Sequence, residues 1–363
     1  MGLKVTELSL LGFRNMGERN ICLSPSTTVL FGRNATGKTN TVEALQMLTA
    51  GYSFRRPTPA QLIHEGERQA RIAAVLEGDG RVLDVSCDIT ERRRQFVKNG
   101  KKCQAADVAG TLMSVLFTPD DLSLVKRGAS ERRAELDDFG RQANQGFSRV
   151  LANYTRSIEQ RNRLLKNEEC DQGLLDAWDA SVALGGATLL HSRLRLFARL
   201  AAKVSEVYAQ IAPAETLECE YRCSLGDEAL GMDKDELRDL FLRRLEETRA
   251  EDLRRQQTCT GPHRDDVAFS ICGRDARAFG SQGQQRSVVL ALKMAEVLLA
   301  EEIVGEKPLL LLDDVMSELD EARRDAVAGF SRDGVQTVVT TTNLGYFSAD
   351  LLKSAEVVRY RDR

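Results

Sequence analysis

The segment Gly32-Arg33-Asn34-Ala35-Thr36-Gly37-Lys38-Thr39 constrains this chain more than any other. It follows the pattern glycine, four residues, Gly-Lys-Thr, and its surroundings suit it. The apolar run Val29-Leu30-Phe31 precedes it, and in residues 40–49 after it Val42, Leu45 and Leu48 fall on one helical face. A strand, a glycine loop and a helix start in that order point backbone N–H groups and the positive end of a helix at one spot. That arrangement suits a phosphate. Glycines permit close approach, Lys38 is placed to neutralise β- and γ-phosphates, and Thr39 to ligate Mg²⁺. Residues 32–39 together with Asn40 are the expected cradle for a nucleotide.

A second half-site stands far downstream. Leu309-Leu310-Leu311-Leu312 reads as a parallel strand buried on both faces, and it ends in Asp313-Asp314. Such a strand fixes acids where they reach a metal. Asp313 is the expected Mg²⁺ contact, and Asp314 is placed to orient or deprotonate a water. Between the halves the period changes. Residues 1–118 alternate as strands and turns, with Asn99-Gly100 a strong hairpin signal. Residues 119–257 carry apolar spacings of helices, among them Phe147, Leu151, Tyr154 and Ile158 and then Leu189, Leu196, Leu200 and Val204. Gly185-Gly186 and Pro213 are expected to break these helices. Residues 258–363 return to an α/β pattern, with a helix expected over 288–300 and a strand over 335–340. The expected fold is therefore α/β: one discontinuous domain, 1–118 with 258–363, interrupted by a mainly helical lobe, 119–257.

Further segments resemble a known family. Ser281-Gln282-Gly283-Gln284 resembles the signature turn of ABC-type ATPases, and Ser317-Glu318-Leu319-Asp320 their D-loop. Phe13-Arg14-Asn15, Phe117-Thr118-Pro119-Asp120-Asp121-Leu122, Glu131-Arg132-Arg133 and Gly261-Pro262-His263-Arg264-Asp265-Asp266 are similar to the RecF recombination-mediator family. The resemblance implies an ABC-type, SMC-like P-loop NTPase head that binds ATP and Mg²⁺. It implies an ATP-dependent homodimer, in which Ser281, Gly283 and Gln284 of one copy close over the ATP of another. Catalysis would rest on Lys38, Asp313, Asp314 and Ser281. Hydrolysis would be weak, DNA-dependent and a release switch. Asp314 has a shorter reach than the Glu common in ABC proteins, and Thr341-Thr342-Asn343 lacks a switch His, leaving Thr342 or Asn343 to sense the γ-phosphate. The resemblance also implies cytoplasmic DNA repair, replication and the SOS response. The implied partners are single-stranded, double-stranded and junction DNA, with RecO and RecR, and RecA as the protein loaded. An SMC-like or transporter-type ABC ATPase subunit with another partner is the alternative.

Charge sharpens the DNA question. Lys and Arg total 51 against 54 Asp and Glu, a net charge of −3, so bulk attraction to nucleic acid is excluded and a local patch must supply it. Arg92, Arg93, Arg94, Lys98, Lys101 and Lys102 crowd the Asn-Gly hairpin and suit phosphate tracking, or equally a charged edge that resists aggregation. Arg193, Arg195, Arg199, Lys203, Arg243 and Arg244 are mixed with acids and read mostly as a solvated face. Neither a secretory signal nor a transmembrane run is apparent, and no membrane partner is expected. The eight cysteines, Cys170 among them, read as reduced thiols. Cys219 and Cys223 have the alternation of a half-buried strand rather than the grouping of a metal site.

Overall fold

The computed structural model describes residues 2–167, 169 and 171–360. Cys170 lies outside them. Among the described residues, fourteen strands and ten helices form two compact units, Met1–Ser123 with Val289–Arg363, and Leu124–Val288.

The first unit holds two sheets. One is an antiparallel sheet ordered β2-β1-β4-β5-β6-β7, built from β1 Lys4–Phe13, β2 Met16–Cys22, β4 Gln69–Gly78, β5 Arg81–Thr90, β6 Arg93–Lys98 and β7 Lys101–Cys103. The other is all parallel, ordered β14-β3-β13-β12-β8: β3 Thr27–Gly32, β8 Ser114–Phe117, β12 Leu309–Asp313, β13 Thr337–Thr341 and β14 Glu356–Tyr360. The continuous apolar runs at Leu309 and Val338 are buried, as parallel strands covered on both faces require. Helix α1, Lys38–Ala50, shares one core with both sheets: its Leu45 and Leu48 join Leu8, Leu10 and Ile72 from one and Leu311 and Val338 from the other. The remaining helices of this unit are α2 Ala105–Ala109, α9 Glu321–Arg332 and α10 Ala349–Ser354. The Asn-Gly hairpin forms as expected, with Lys98 paired to Lys101 and positive φ at Asn99 (49°) and Gly100 (72°).

The second unit carries α3 Ala129–Ala143, α4 Gln145–Leu165, α5 Gln172–Ile211, α6 Lys234–Arg255 and α7 Ala276–Phe279, with the small sheet β9 Leu217–Arg222, β10 Asp266–Ile271 and β11 Arg274–Asp275. Helix α8, Gln282–Val304, runs through the boundary at residue 288. Residues 258–288, expected with the α/β domain, fall in this unit instead, because β10 pairs with β9 along its whole length.

Three further expectations are corrected. Helix α5 is a single 40-residue helix that passes straight through Gly185-Gly186. Two interior glycines cost a helix about 1 kcal/mol each, but here the missing side chain permits close packing. A Cβ on Gly186 would stand 2.2 Å from Phe241 Cε1 and 2.9 Å from Tyr154 Cε2, so α4 and α6 approach α5 at that point. Arg193 is not part of a solvated face. It is buried, donates through Nε and Nη2 to both carboxylate oxygens of Asp137 (2.8 and 2.7 Å), and reaches Pro262 O. Finally, α8 begins at Gln282, well before the expected Val288.

Buried ion pairs tie this unit together. Arg161 donates to Asp179 (2.5 Å), Asp252 (2.6 Å) and Thr258 (2.9 Å), joining α4, α5 and α6. Arg132 grips Asp266 with two bonds, at 2.8 and 2.9 Å, so its place at the start of α3 is one of packing. Removing one partner of such a pair strands the other's charge.

Candidate functional site

The glycine loop closes over β3 and opens into α1. Gly32 lies against Tyr360: a Cβ there would come 2.6 Å from Tyr360 O, so any larger residue would push β14 away. Tyr360 Oη lies 2.6 Å from Thr41 Oγ1, with Arg19 stacked 3.5 Å over its ring. The Arg14-Asn15 turn braces the loop from the other side. Asn15 Nδ2 donates to Ala35 O (2.8 Å), and Asn40 Nδ2 donates to Asn15 Oδ1 (2.7 Å). Below the loop, fully buried Glu43 accepts from Arg14 Nε and Nη2, Ser53 Oγ and Arg55 Nη1.

The result is a cavity of about 320 Å³ lined by Asn15, Asn34, Ala35, Gly37, Lys38, Thr39, Asn40, Arg55, Asp314 and Thr340. Lys38 Nζ donates to Gly32 O (2.7 Å) and Arg33 O (2.6 Å), so the ammonium is held over the loop. Burial lowers its pKa, with Asp314 and Asp313 opposing that shift. Gly32, Arg33 and Thr36 shape the loop without lining the cavity.

The acids meet the loop as the two half-sites require. Thr39 Oγ1 donates to Asp313 Oδ1 at 2.9 Å. Thr340 Oγ1 donates to the same oxygen at 2.9 Å and accepts from Asp314 N–H at 2.8 Å. Burial raises the pKa of Asp313, and the two hydroxyls pull it back. Burial raises that of Asp314 too, against the pull of Lys38. Asp314 Oδ1 is buried with no hydrogen-bond partner among the described residues, and Asp314 takes a left-handed φ of 53°. These are hard oxygen donors beside an unsatisfied carboxylate oxygen, which fits Mg²⁺. Among the described residues no cluster of three or more His, Cys, Asp or Glu could hold a metal by itself. A cation here would complete its shell from phosphate and water, as Mg²⁺ commonly does.

The structure thus gathers the loop residues, Asp313 and Asp314 in one cleft. Ser281, Gly283 and Gln284 belong to the other unit, at the start of α8, where Ser281 is exposed. Arg92, Arg93, Arg94, Lys101 and Lys102 are exposed on the hairpin, while Lys98 is half-buried with Nζ on Thr111 Oγ1 (2.7 Å). Thr342 and Asn343 do not line the cavity. Thr340 does, because the parallel register sets it beside Asp313. Sequence reasoning assigns no role to Asn15, Arg55 or Thr340. Only Asn15 carries a signal, in the Phe-Arg-Asn segment.

His263 has a structural role. Its Nε2–H donates to Thr258 O (3.0 Å), so the neutral ring accepts the Tyr154 hydroxyl at Nδ1 (2.7 Å). Burial, followed by the nearby arginines, lowers its pKa to about 4 from 6.5. The unfolded chain therefore takes up this proton first. Stability is full above pH 6.5 and is lost progressively as pH falls from there to about 4. The loss attributable to His263 is expected to reach about 3 kcal/mol at the lower end. Urea melts across that range should show a shallower slope for His263→Asn than for the native chain. Parallel slopes would remove His263 from this account.

A five-stranded parallel sheet, a glycine loop entering a helix and an acidic strand end define a P-loop NTPase head of the type found in SMC proteins. The family model described as RecF/RecN/SMC N terminal domain matches residues 4–359. The DNA replication and repair protein RecF of Symbiobacterium thermophilum is 40% identical over 344 residues, covering 94% of this chain and 92% of that protein. RecF of Heliobacterium modesticaldum is 36% identical, covering 98% and 97%. A solved structure of the recombination mediator protein RecF with ATPrS, in the RecFOR pathway, superposes with a TM-score of 0.90 at 30% identity, covering 96% of this chain and 94% of that one. The Smc head domain from Pyrococcus furiosus shares the fold, with a TM-score of 0.55 at 16% identity and coverage of 99% and 94%. The chain belongs to the RecF family of DNA replication and repair proteins.

Proposed function

We propose that this protein is an ATP-switched, DNA-binding homodimer that acts at gapped or junction DNA in the cytoplasm. With RecO and RecR it would help to load RecA. The observation that carries the reading is Ser281. It is exposed at the start of α8, and its Oγ accepts from Gln284 N–H (3.2 Å), which holds the oxygen in place while its own O–H can still donate to a ligand. A hydroxyl so presented suits the γ-phosphate of ATP held by the Lys38 loop of a second copy. Related RecF structures were solved with ATP and with ATPrS, which supports ATP as the ligand.

Lys38 and the loop N–H groups hold the β- and γ-phosphates. Thr39 and Asp313 would hold Mg²⁺, which when bound neutralises phosphate charge. Asp314 orients the attacking water and accepts its proton. Dimer affinity depends on the γ-phosphate, so hydrolysis releases the pair.

Ser281→Arg places bulk and charge in that contact. It is expected to leave binding of a fluorescent ATP analogue unchanged and to abolish ATP-driven dimerisation in light scattering. Persistent dimerisation would overturn the in-trans assignment.

The exposed hairpin cations are proposed to track DNA phosphates. Replacing Arg94, Lys101 and Lys102 together with Glu should weaken gapped-DNA binding at least about tenfold and flatten its dependence on log salt by about one unit per lost contact. An unchanged salt slope would place the DNA elsewhere.

A further inference from the structure

Gln284, expected as a nucleotide contact, has its amide engaged within the second unit. Its Oε1 accepts from Ser281 N–H (2.8 Å), and its backbone N–H donates to Ser281 Oγ, a reciprocal cap at the start of α8. Its Nε2 donates to Glu215 Oε1 at 2.9 Å. Glu215 Oε2 in turn accepts from the hydroxyl of Tyr208 at 2.5 Å, and Tyr208 is fully buried in the last turns of α5. The backbone holds Glu215 in place as well: its N–H donates to Ala212 O (3.0 Å), and Ala212 N–H donates to Tyr208 O (2.8 Å). Across the turn, Gln285 Nε2 donates to Ala276 O (2.9 Å) and Gly280 N–H to the same oxygen (3.2 Å), so the turn is held on both flanks.

A primary amide has one accepting end and one donating end, and the Ser281 N–H, itself only a donor, takes the accepting end and leaves the NH₂ to be held. An ionised carboxylate only accepts. Placed against Gln284, it requires Nε2 to face Glu215 and Oε1 to face Ser281 N–H. With the amide reversed, an NH₂ would confront the Ser281 N–H and an oxygen would confront the carboxylate.

We infer that Glu215 is a positioning residue for the signature turn. Its carboxylate, anchored by Tyr208 at the end of α5, holds the donating end of the Gln284 amide, locks the amide that caps Ser281, and through it fixes the direction in which Ser281 presents its hydroxyl. The end of the 40-residue α5 thereby bears directly on the turn that meets nucleotide. The inference rests on the in-trans reading of Ser281 and names a residue that neither the motif nor its spacing indicates.

The test uses the full chain, with ATP as the probe. Glu215→Ala should leave affinity for a fluorescent ATP analogue within about twofold while weakening ATP-driven dimerisation about tenfold, the size expected for losing a charge-assisted hydrogen bond. Glu215→Gln, whose Oε1 still accepts from Gln284 while its NH₂ meets the Tyr208 oxygen, should restore most of the loss. Tyr208→Phe keeps the Gln284 amide and the local volume, removes the hydroxyl that anchors Glu215, and should weaken dimerisation in the same sense even if Glu215→Ala folds poorly. Native-like dimerisation of both Glu215→Ala and Tyr208→Phe overturns the inference. So does a parallel fall in nucleotide affinity, which would mean general damage. If the unaltered chain does not dimerise with ATP, the in-trans reading fails first and takes this inference with it. A dimerising native chain with indifferent variants removes the inference alone.

Discussion

Lys38→Ala is expected to weaken ATP binding by at least about a hundredfold. Charge-assisted hydrogen bonds contribute about 1.5–3 kcal/mol each, and an ammonium facing two phosphates makes two of them. The geometry supports a loss of this size. Lys38 Nζ sits over the loop on Gly32 O and Arg33 O, with Asp314 lining the same cavity, and its three N–H donors allow both phosphate bonds once one of these carbonyls is released. Lys38→Arg should fail almost as badly. A planar fork cannot occupy the small space enclosed by the loop carbonyls. Calorimetric titration with ATP checks both variants, with thermal melting as the control for folding. Binding within about tenfold of native by Lys38→Ala would mean that the loop amides alone hold the nucleotide, and the cleft would have to be reassigned.

Asp314→Asn should separate binding from chemistry. The variant is expected to bind ATP within about threefold of the native chain and to lose about 10²–10⁴ in kcat, the range for a missing general base. Because release would then fail, its ATP dimer should accumulate. Asp313→Asn should behave differently: its amide oxygen still accepts from Thr39 and Thr340, but the negative charge that would face Mg²⁺ is lost, and both Mg²⁺-supported binding and turnover should fall. The pH profile carries a further sign. Burial raises the Asp314 pKa above the ordinary carboxylate value. The active carboxylate form is present above that raised value, so the acidic limb of kcat/KM, which reports the free protein, lies at higher pH than an exposed Asp would give. Turnover falls as pH drops through it. Hydrolysis by Asp314→Asn within tenfold of native, or an unchanged acidic limb in its residual rate, would assign the base to another group.

Much of the nucleotide cleft is legible in the order of residues along the chain. The glycine loop and the acidic strand end are each continuous segments, and each announces itself through local pattern. The strand before Gly32 and the helix after it form as read, and Thr39 meets Asp313 at 2.9 Å. The Asn99-Gly100 hairpin is equally local. What stays hidden belongs to register. Thr340 sits beside Asp313 only because β12 and β13 pair in parallel with that offset, and neighbouring Thr341, Thr342 and Asn343 look as suitable in the chain. Arg55 and Asn15 reach the cavity through Glu43 and Ala35, partners chosen by packing. Arg193 reads in the chain as one more helix-surface cation, and only the fold sets Asp137 against it.

The sequence by itself determined which residues form the glycine loop, which acids end the strand that meets it, and that two α/β segments flank a helical insertion. Short-range periodicity and the conformational freedom of glycine act on neighbours in the chain, so their consequences can be read there. Tertiary structure alone decided that α5 continues through Gly185-Gly186, since contact with Phe241 and Tyr154 outweighs weak local propensity. It also decided that Glu215 faces Gln284. Hydrogen bonds between distant segments depend on how helices and strands are brought side by side, and no local rule encodes that.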